Sequence, residues 1–327
     1  MDKIDFVITW VDSDDFKWRA KRSKYISNED DLLTSDNTGI QRYRDYGTLK
    51  YLFRSIDLYA PWVNKIYLIT DSQIPKWLNK SNDKVTLIDH KDIIDSKYLP
   101  SFNSNAIEWS ISNINDLSEE FVLFNDDMLL NHRISPDFFF KNSLPRDFRA
   151  YRPFMPVEEF DKSIFNDINV LNLWIKKWPK TYKGIFRVRS FKPLINSLFM
   201  LTKHKISAYY DPHLPQPYLK SNFASAKKIW HREIHKTLTH KFRSDEDVTE
   251  WLVRYYQLEQ GLFEPCSKIN GHFYTINDID LLSKDLLNSK SMTLCINDKN
   301  SVNYSANVNS IKNILDTKFP YKSPFEY

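Results

Sequence analysis

The sequence predicts an α/β fold built on a mostly parallel sheet, and three observations carry that expectation. Short runs rich in β-branched and aromatic residues recur at Ile4–Val11, Lys65–Thr70, Lys84–Asp89 and Phe121–Phe124, the signature of strands buried on both faces. Between them lie stretches with apolar residues at helical spacing, such as Leu49, Leu52, Phe53 and Ile56. Strand–helix alternation of this kind gives a parallel sheet flanked by helices. The third observation is that strands end abruptly in polar residues: Asp12, Asp71 and the triplet Asn125-Asp126-Asp127. In open α/β sheets the ligand crevice lies beyond the carboxyl ends of the strands.

Taken in order, Ile4–Val11 is the first strand and exits into Asp12-Ser13-Asp14-Asp15. That cluster suits the cap and acidic first turn of a helix over Phe16–Lys24, and equally a carboxylate facing a ligand. Ser27–Gly39 is polar and reads as a loop. A helix over Thr48–Tyr59 is stopped by Pro61. Strands follow at Lys65–Thr70 and Lys84–Asp89, with a short helical turn at Pro75–Leu78 between them. The extended segment Leu99–Asn105 holds Ser104 and leads into a helix over Ala106–Leu117, with Glu108 near its start.

Phe121–Phe124 then meets Asn125-Asp126-Asp127. Two adjacent carboxylates at a buried strand tip are costly without a partner. Hard oxygen ligands on a rigid strand suit Mg²⁺, Mn²⁺ or Ca²⁺. A turn with a helix cap is the competing reading.

Beyond Arg133 the pattern loosens. A helix is expected over Asp167–Trp178, and Pro179–Pro193 is basic, with Lys180, Lys183, Arg187, Arg189 and Lys192. No linker tract sets this part off. The expectation is one catalytic unit over 1–327, with an α/β core of 1–135 and 205–310 and a helical, irregular insertion over 136–204. His213 sits in a Pro-bounded loop, Asp211–Tyr218, either as a turn histidine or as a fixed imidazole suited to general base work. Helices follow through Ala224–Leu238 and Asp245–Gly261. The cations from Lys220 to Arg243 read mainly as solvated helix faces, although an anionic ligand needs only one or two of them. His231 and His235 have zinc-clamp spacing but lack the H-E-x-x-H pattern. Met292–Ile296 is a last strand ending in a second amide–acid pair, Asn297-Asp298, and a short helix begins near Ser310.

Bulk properties exclude several classes. Hydrophobic content of 42% and aromatic content of 15% over 327 residues support a sizeable core. A net charge of +4 gives no case for nucleic acid. Cys266 and Cys295 stand in unlike contexts, so reduced core thiols are expected. Charges in Met1–Asp5 leave no signal peptide, and no apolar run reaches the length of about 18 residues that a membrane span needs. The expectation is a cytoplasmic protein, with peripheral membrane contact through basic residues compatible with it. No Gly-rich phosphate loop occurs, so dinucleotide and P-loop readings fail.

Four blocks of the chain carry a resemblance. Ile4-Asp5-Phe6-Val7-Ile8-Thr9-Trp10-Val11-Asp12 is the first. The second runs from Arg44-Asp45 through Ala60-Pro61-Trp62-Val63, Leu99–Ser104 and Ala106-Ile107-Glu108 to Asn125-Asp126-Asp127. Pro212-His213-Leu214-Pro215 and Phe242–Asp247 make the third, and Cys295-Ile296-Asn297-Asp298 the fourth. In this order and spacing they resemble the Stealth family of hexose-1-phosphate transferases. That family includes bacterial capsular and cell-wall polysaccharide phosphotransferases and the catalytic part of the animal enzyme that marks lysosomal glycoproteins with GlcNAc-1-phosphate.

The resemblance implies a Rossmann-like, glycosyltransferase-A-like sheet and attack by a sugar hydroxyl on the β-phosphorus of a UDP-hexose, with UMP leaving. On this reading Asn125, Asp126 and Asp127 hold Mg²⁺ or Mn²⁺, joined by Asp298 if the last strand lies beside them. Arg243 grips phosphate, His213 is the general base, and Trp10, Val11 and Asp12 border the uridine. Ser104 and Glu108 position the donor sugar or support the metal. The implied acceptor is an oligosaccharide or a lipid-linked glycan, in capsule or surface polysaccharide synthesis. The residues by themselves leave two rivals: a metal-dependent glycosyltransferase that releases UDP, and a non-catalytic carbohydrate-binding protein.

Overall fold

The computed structural model describes residues 3–26, 43–158, 160–176, 178–299 and 301–327; the loop expected over Ser27–Gly39 lies outside them. Eight strands carry the architecture: β1 (Ile4–Thr9), β2 (Ile66–Thr70), β3 (Val85–Asp89), β4 (Glu120–Asn125), β5 (Met128–Leu130), β6 (Gln216–Leu219), β7 (Gly271–Thr275) and β8 (Thr293–Asn297). Five of them form the main sheet in the order β6-β4-β1-β2-β3. β1 to β4 are parallel, and β6 closes one edge antiparallel to β4. The result is the expected Rossmann-like, glycosyltransferase-A-type arrangement.

Topology fixes where a ligand can enter. The chain leaves β1 toward β2 and β3 on one side, then returns to β4 on the other. A switch of direction opens a crevice at the carboxyl ends of the two strands involved. Thr9 and Asn125 are register partners there. The acidic triplet therefore stands at the mouth of the switch point, beside Trp10.

Alternation along β1 explains the two-sided core. Ile4, Phe6 and Ile8 pack with Leu52, Phe53 and Ile56 of the helix Thr48–Tyr59 on one face. Val7 points to the other face, among Phe121 and Leu123. Asp5 is fully buried yet satisfied: Oδ1 accepts from Asn64 Nδ2 (2.6 Å) and Lys65 N, and Oδ2 from Ser118 N (2.7 Å). This carboxylate ties β1 to the segments that enter β2 and β4, a structural role inside the first sequence block.

A second sheet, in the order β7-β8-β5, grows directly from the triplet. β5 follows β4 after two residues and pairs antiparallel with β8, Cys295 opposite Met128. The Ile296 amide donates to the Asp127 carbonyl (2.8 Å). The last strand thus lies beside the triplet, and Asn297-Asp298 arrives at the same crevice.

Several helices differ from expectation. The helix expected from Ala106 spans Ser104–Ser110, because Asn103 caps it by accepting from Asn105 N (3.0 Å). A separate 3₁₀ turn follows at Ile111–Asn113. The helix expected over Ala224–Leu238 is two, Lys220–Ile229 and His231–Thr239, broken at the non-helical backbone of Trp230. The next helix starts late, at Trp251, since Asp247 and Thr249 hold the preceding residues in side-chain-bonded turns. Pro75–Leu78 is a turn whose Leu78 bridges to Glu326. The helix expected from Asp167 runs Phe160–Trp174, and the last helix runs Tyr304–Lys318.

The insertion has a small cluster of its own at Phe148, Ala150 and Val188, but most of its buried residues join the shared core. Ile164, Ile168 and Leu171 of the helix Phe160–Trp174, and Met200 of the helix Phe191–Leu201, join the cluster that holds Phe121, Leu123 and Tyr218. We infer from this shared core that 1–327 is one folding unit. A buried ion pair stitches the join. Glu259 accepts from Arg149 Nη2 (2.8 Å), Trp178 Nε1 (3.0 Å), Tyr151 Oη (2.7 Å) and Tyr209 Oη (2.8 Å), with no solvent at either charge. Replacing Glu259 with Ala strands the Arg149 guanidinium in a dry site. The expected loss is about 3–5 kcal/mol, read as a lower urea midpoint. A wild-type midpoint would show that the pair carries no net stability.

Candidate active site

A cavity of about 750 Å³ opens at the switch point. One wall is acidic. Asn125, Asp126 and Asp127 from the end of β4 meet Asn297 and Asp298 from the end of β8. Burial pushes the Asp126 carboxyl well above the usual carboxylate range, and the charges of Asp127 and Asp45 push it further. Burial also raises Asp127, against hydrogen bonds from Cys295 and Asn297. Asp127 Oδ1 is buried with no hydrogen-bond partner.

Arg44 offsets part of this charge. It forks onto Asp298, with Nε to Oδ2 at 2.7 Å and Nη2 to Oδ1 at 3.1 Å, while lying 4.1 Å from the Tyr304 ring. Both Asp298 oxygens thus accept from Arg44. Asp298 joins the wall as the partner of Arg44, each of its oxygens keeping a further lone pair. Asp45 adds a carboxylate that sequence reasoning left without a role. It accepts from Gly47 N (2.6 Å) and Trp10 Nε1 (3.2 Å) and is raised by burial.

This wall fits a divalent cation. Carboxylates outnumber cations, one carboxylate oxygen is orphaned, and the exposed donors are hard oxygens. Asp127, His213 and Cys295 also place ligand atoms within 4.8 Å of one another, a group with softer donors. Burial and the charge of Asp127 hold the Cys295 thiol well above its usual range, so it stays protonated and donates to Asp127. The triplet's hard oxygens suit Mg²⁺ or Mn²⁺, and the His213 and Cys295 donors suit a softer ion. Cys295, expected only as a core thiol, is thereby a neighbour of the site. Its signal was the strand it shares with Asn297-Asp298.

His213 projects from a strained loop. Its backbone is left-handed, φ +44°, rare for a residue with a Cβ. Asp211 anchors the loop by accepting from Arg254 Nη1 (2.6 Å) and Tyr255 Oη (2.9 Å). Burial raises Asp211 to about 6, against the pull of Arg254. The imidazole stands edge-on to Phe273, 5.5 Å between centroids. Gly271 lets β7 come this close: a Cβ there would lie 2.6 Å from Leu214.

The opposite wall presents Arg243. Nε (2.8 Å) and Nη2 (2.5 Å) both donate to Ser104 Oγ, and the guanidinium lies 5.3 Å from the Phe160 ring. Among the described residues Arg243 forms no ion pair. Asp247 sets this geometry. Its Oδ2 accepts from Asn103 Nδ2 (2.8 Å), Asn105 Nδ2 (3.2 Å) and Ser244 N (3.0 Å), and Oδ1 faces His240 Nδ1 (2.7 Å). Nearby, Glu108 lines the cavity and is hydrogen-bonded to Glu250 behind it. Burial raises both carboxyls, Glu250 well above its usual range, so the pair retains a proton.

Trp10 and Val11 form the far end, with Trp18 and Tyr43. Asp12 does not line the cavity. Its backbone is clamped by Gln73 (2.9 and 2.7 Å), and its Oδ1 accepts from Asp14 N (2.8 Å). Asp12 thus makes a local turn, and it is Asp15 that caps the following helix, accepting from Trp18 N (2.8 Å). His90, not singled out from sequence, lines the same end; burial depresses its pKa and leaves Nδ1 without a hydrogen bond. His231 and His235 stay apart from the site, and among the described residues no third ligand joins them. His235 instead meets the Tyr98 ring edge-on at 5.6 Å.

Comparison with known proteins adds a finding. Stealth protein conserved region 1 matches residues 2–30, conserved region 2 residues 42–147 and conserved region 3 residues 212–256. The chain is 39% identical, over 99% of its length and 96% of the relative's, to the exopolysaccharide phosphotransferase cps2G of Lactiplantibacillus plantarum. It is 37% identical to a capsular polysaccharide phosphotransferase WcwK of Streptococcus pneumoniae, over 100% of its own length and 99% of the relative's. It is 35% identical to the receptor polysaccharide phosphotransferase WefC of Streptococcus oralis, over the whole of both chains. The matched regions bring the acidic triplet, His213 and Arg243 with them and leave the wall from 148 to 211 outside.

Proposed function

The chain belongs to the Stealth family, as a sugar-phosphate transferase of polysaccharide synthesis with a sugar donor and a glycan acceptor, and from that premise we propose that it transfers hexose-1-phosphate from a UDP-hexose. The acceptor hydroxyl oxygen bonds to the β-phosphorus, and the bond from that phosphorus to the bridging oxygen breaks. UMP departs with the bridging oxygen, and the hydroxyl proton passes to a base. The product is a phosphodiester. GlcNAc-1-phosphate or a similar hexose-1-phosphate is the transferred group.

One observation carries the reading: the same cavity is lined by an acidic wall with an orphaned carboxylate oxygen and by Arg243, which forms no ion pair among the described residues. A diphosphate bridges such walls when a cation covers the acids. Asp126 and Asp127, with Asn125, would hold Mg²⁺ or Mn²⁺, which when bound supplies neutralisation of diphosphate charge. Arg243, oriented by Ser104 and stacked on Phe160, binds a phosphate oxygen. His213 takes the proton of the attacking hydroxyl. Glu108, which accepts a hydrogen bond from Glu250, offers a carboxylate oxygen to donor-sugar hydroxyls. Trp10 and Val11 flank the uridine, with Asp12 behind them holding the turn.

The acceptor is an oligosaccharide or a lipid-linked glycan. The chain would then work in the cytoplasm, at the inner face of the membrane when the acceptor is lipid-linked. Among the described residues no helix is long and apolar enough to cross a membrane.

Two experiments test the reading. The purified chain, Mg²⁺, a panel of UDP-hexoses and a bacterial glycan acceptor are expected to yield UMP from one preferred donor. UDP as the product would mean attack on the anomeric carbon, and metal-indifferent sugar binding without turnover would favour a lectin-like role. Arg243→Lys is expected to lower kcat/KM by roughly 10- to 100-fold, because an ammonium cannot keep the Ser104 fork and grip phosphate together. Full activity would remove Arg243 from contact with the donor.

A further inference from the structure

Residues 176–207 contain nine Lys or Arg and no Asp or Glu, in a chain whose net charge is only +4. Within this stretch the helix Phe191–Leu201 turns an apolar stripe to solvent. Phe191 (79% exposed), Ile195 (46%), Leu198 (42%) and Phe199 (53%) follow the spacing of one helical face. The opposite side is the packed one. Met200 and Ser197 are buried, and Ser197 Oγ accepts from Tyr151 N (2.9 Å). Exposed Tyr182 and Phe186, their rings stacked, lie in the adjoining turn. Arg187, Arg189, Lys192 and Lys203 are exposed around the stripe and make no ion pair among the described residues.

A single exposed apolar side chain needs no explanation, but a stripe of them on one helix face does. We propose that this face docks on an anionic membrane surface. Charge complementarity identifies the occupant: an apolar face bordered by cations and free of acids lies in a bilayer interface with its stripe among the acyl chains and its cations among phosphates. A nucleic acid would use the cations but not the stripe.

The location gives the contact a purpose. The helix packs on the segment Tyr151–Arg152, and Arg152 lines the cavity in the wall outside the matched conserved regions. Docking therefore brings that wall to the bilayer, where a lipid-linked acceptor would stand. This purpose rests on the phosphotransfer reading; the docking itself does not.

Sedimentation of the full chain with vesicles tests it. Binding is expected with phosphatidylcholine containing phosphatidylglycerol, roughly tenfold or more weaker with phosphatidylcholine alone, and weakened by salt. The pair Phe191→Ser and Phe199→Ser, and separately the pair Arg187→Glu and Lys192→Glu, are each expected to cut vesicle binding by about tenfold or more. UMP release with a soluble acceptor should stay at the wild-type rate in both. Equal binding to both vesicle types, undiminished binding by the variants, or no binding by the wild type would overturn the proposal. So would a solution dimer that the Phe191→Ser and Phe199→Ser pair dissociates, since the face would then belong to a second copy. Absence of UMP in every sample would count against the transfer reading and leave the vesicle result standing.

Discussion

Asp127→Asn is expected to abolish turnover, with kcat falling by roughly 10³-fold or more, the order of the several kcal/mol that a bound cation contributes to such a reaction. The change is nearly isosteric. An Asn amide oxygen still accepts from Asn297, which now bonds Asp127 Oδ2 at 3.2 Å, and the backbone bond to Ile296 is untouched. What disappears is one negative charge, on a buried carboxyl whose Oδ1 accepts no hydrogen bond among the described residues. The ion-free variant should melt close to the ion-free wild type, because burial already disfavours that charge. Activity and stability then move apart, which separates loss of a ligand from loss of a fold. Wild-type protein in excess EDTA is expected to stop and to recover with Mg²⁺ or Mn²⁺. Turnover that persists in EDTA would end the metal assignment.

His213→Ala is expected to lower kcat by roughly 10²–10⁴-fold with a smaller change in KM, the range for loss of a general base. The backbone at φ +44° complicates a simple substitution, because Ala is no easier there than His. His213→Gly removes the imidazole where glycine is at ease. Both variants should lose the same rate if the ring does the chemistry. A wild-type rate in either would return His213 to the role of a loop residue leaning on Phe273.

Much of the scaffold was legible because strand and helix formation follow short-range patterns. The run of β-branched and aromatic residues in Ile4–Val11 marked β1, and the helix Thr48–Tyr59 lies where its stripe and Pro61 put it. Helix ends were less legible, since Asn103 and Thr249 decide them through caps and turns and not through periodicity. The exposed stripe on Phe191–Leu201 was hidden for a similar reason: a helical apolar face is expected to point inward. Only the packing of Ser197 and Met200 shows which side is covered.

For the site, sequence alone determined that carboxylates stand at the ends of two strands, that an arginine and a histidine belong with them, and that the crevice lies past β1 and β4. Tertiary structure decided what each group can do. Arg44 and Asp298 are 254 residues apart, yet their fork fixes where the Asp298 carboxylate stands. Cys295 becomes the neighbour of Asp127 through the register of β8 on β5, where a shift of one residue would turn it to the other face. Asp12 bonds within its own turn, while Asp45, next to Arg44 at the start of the second block, reaches Trp10. Local pattern specifies which residues sit at a strand end. Register, loop closure and competition for hydrogen-bond donors, all set by distant parts of the chain, decide which of their oxygens remain available.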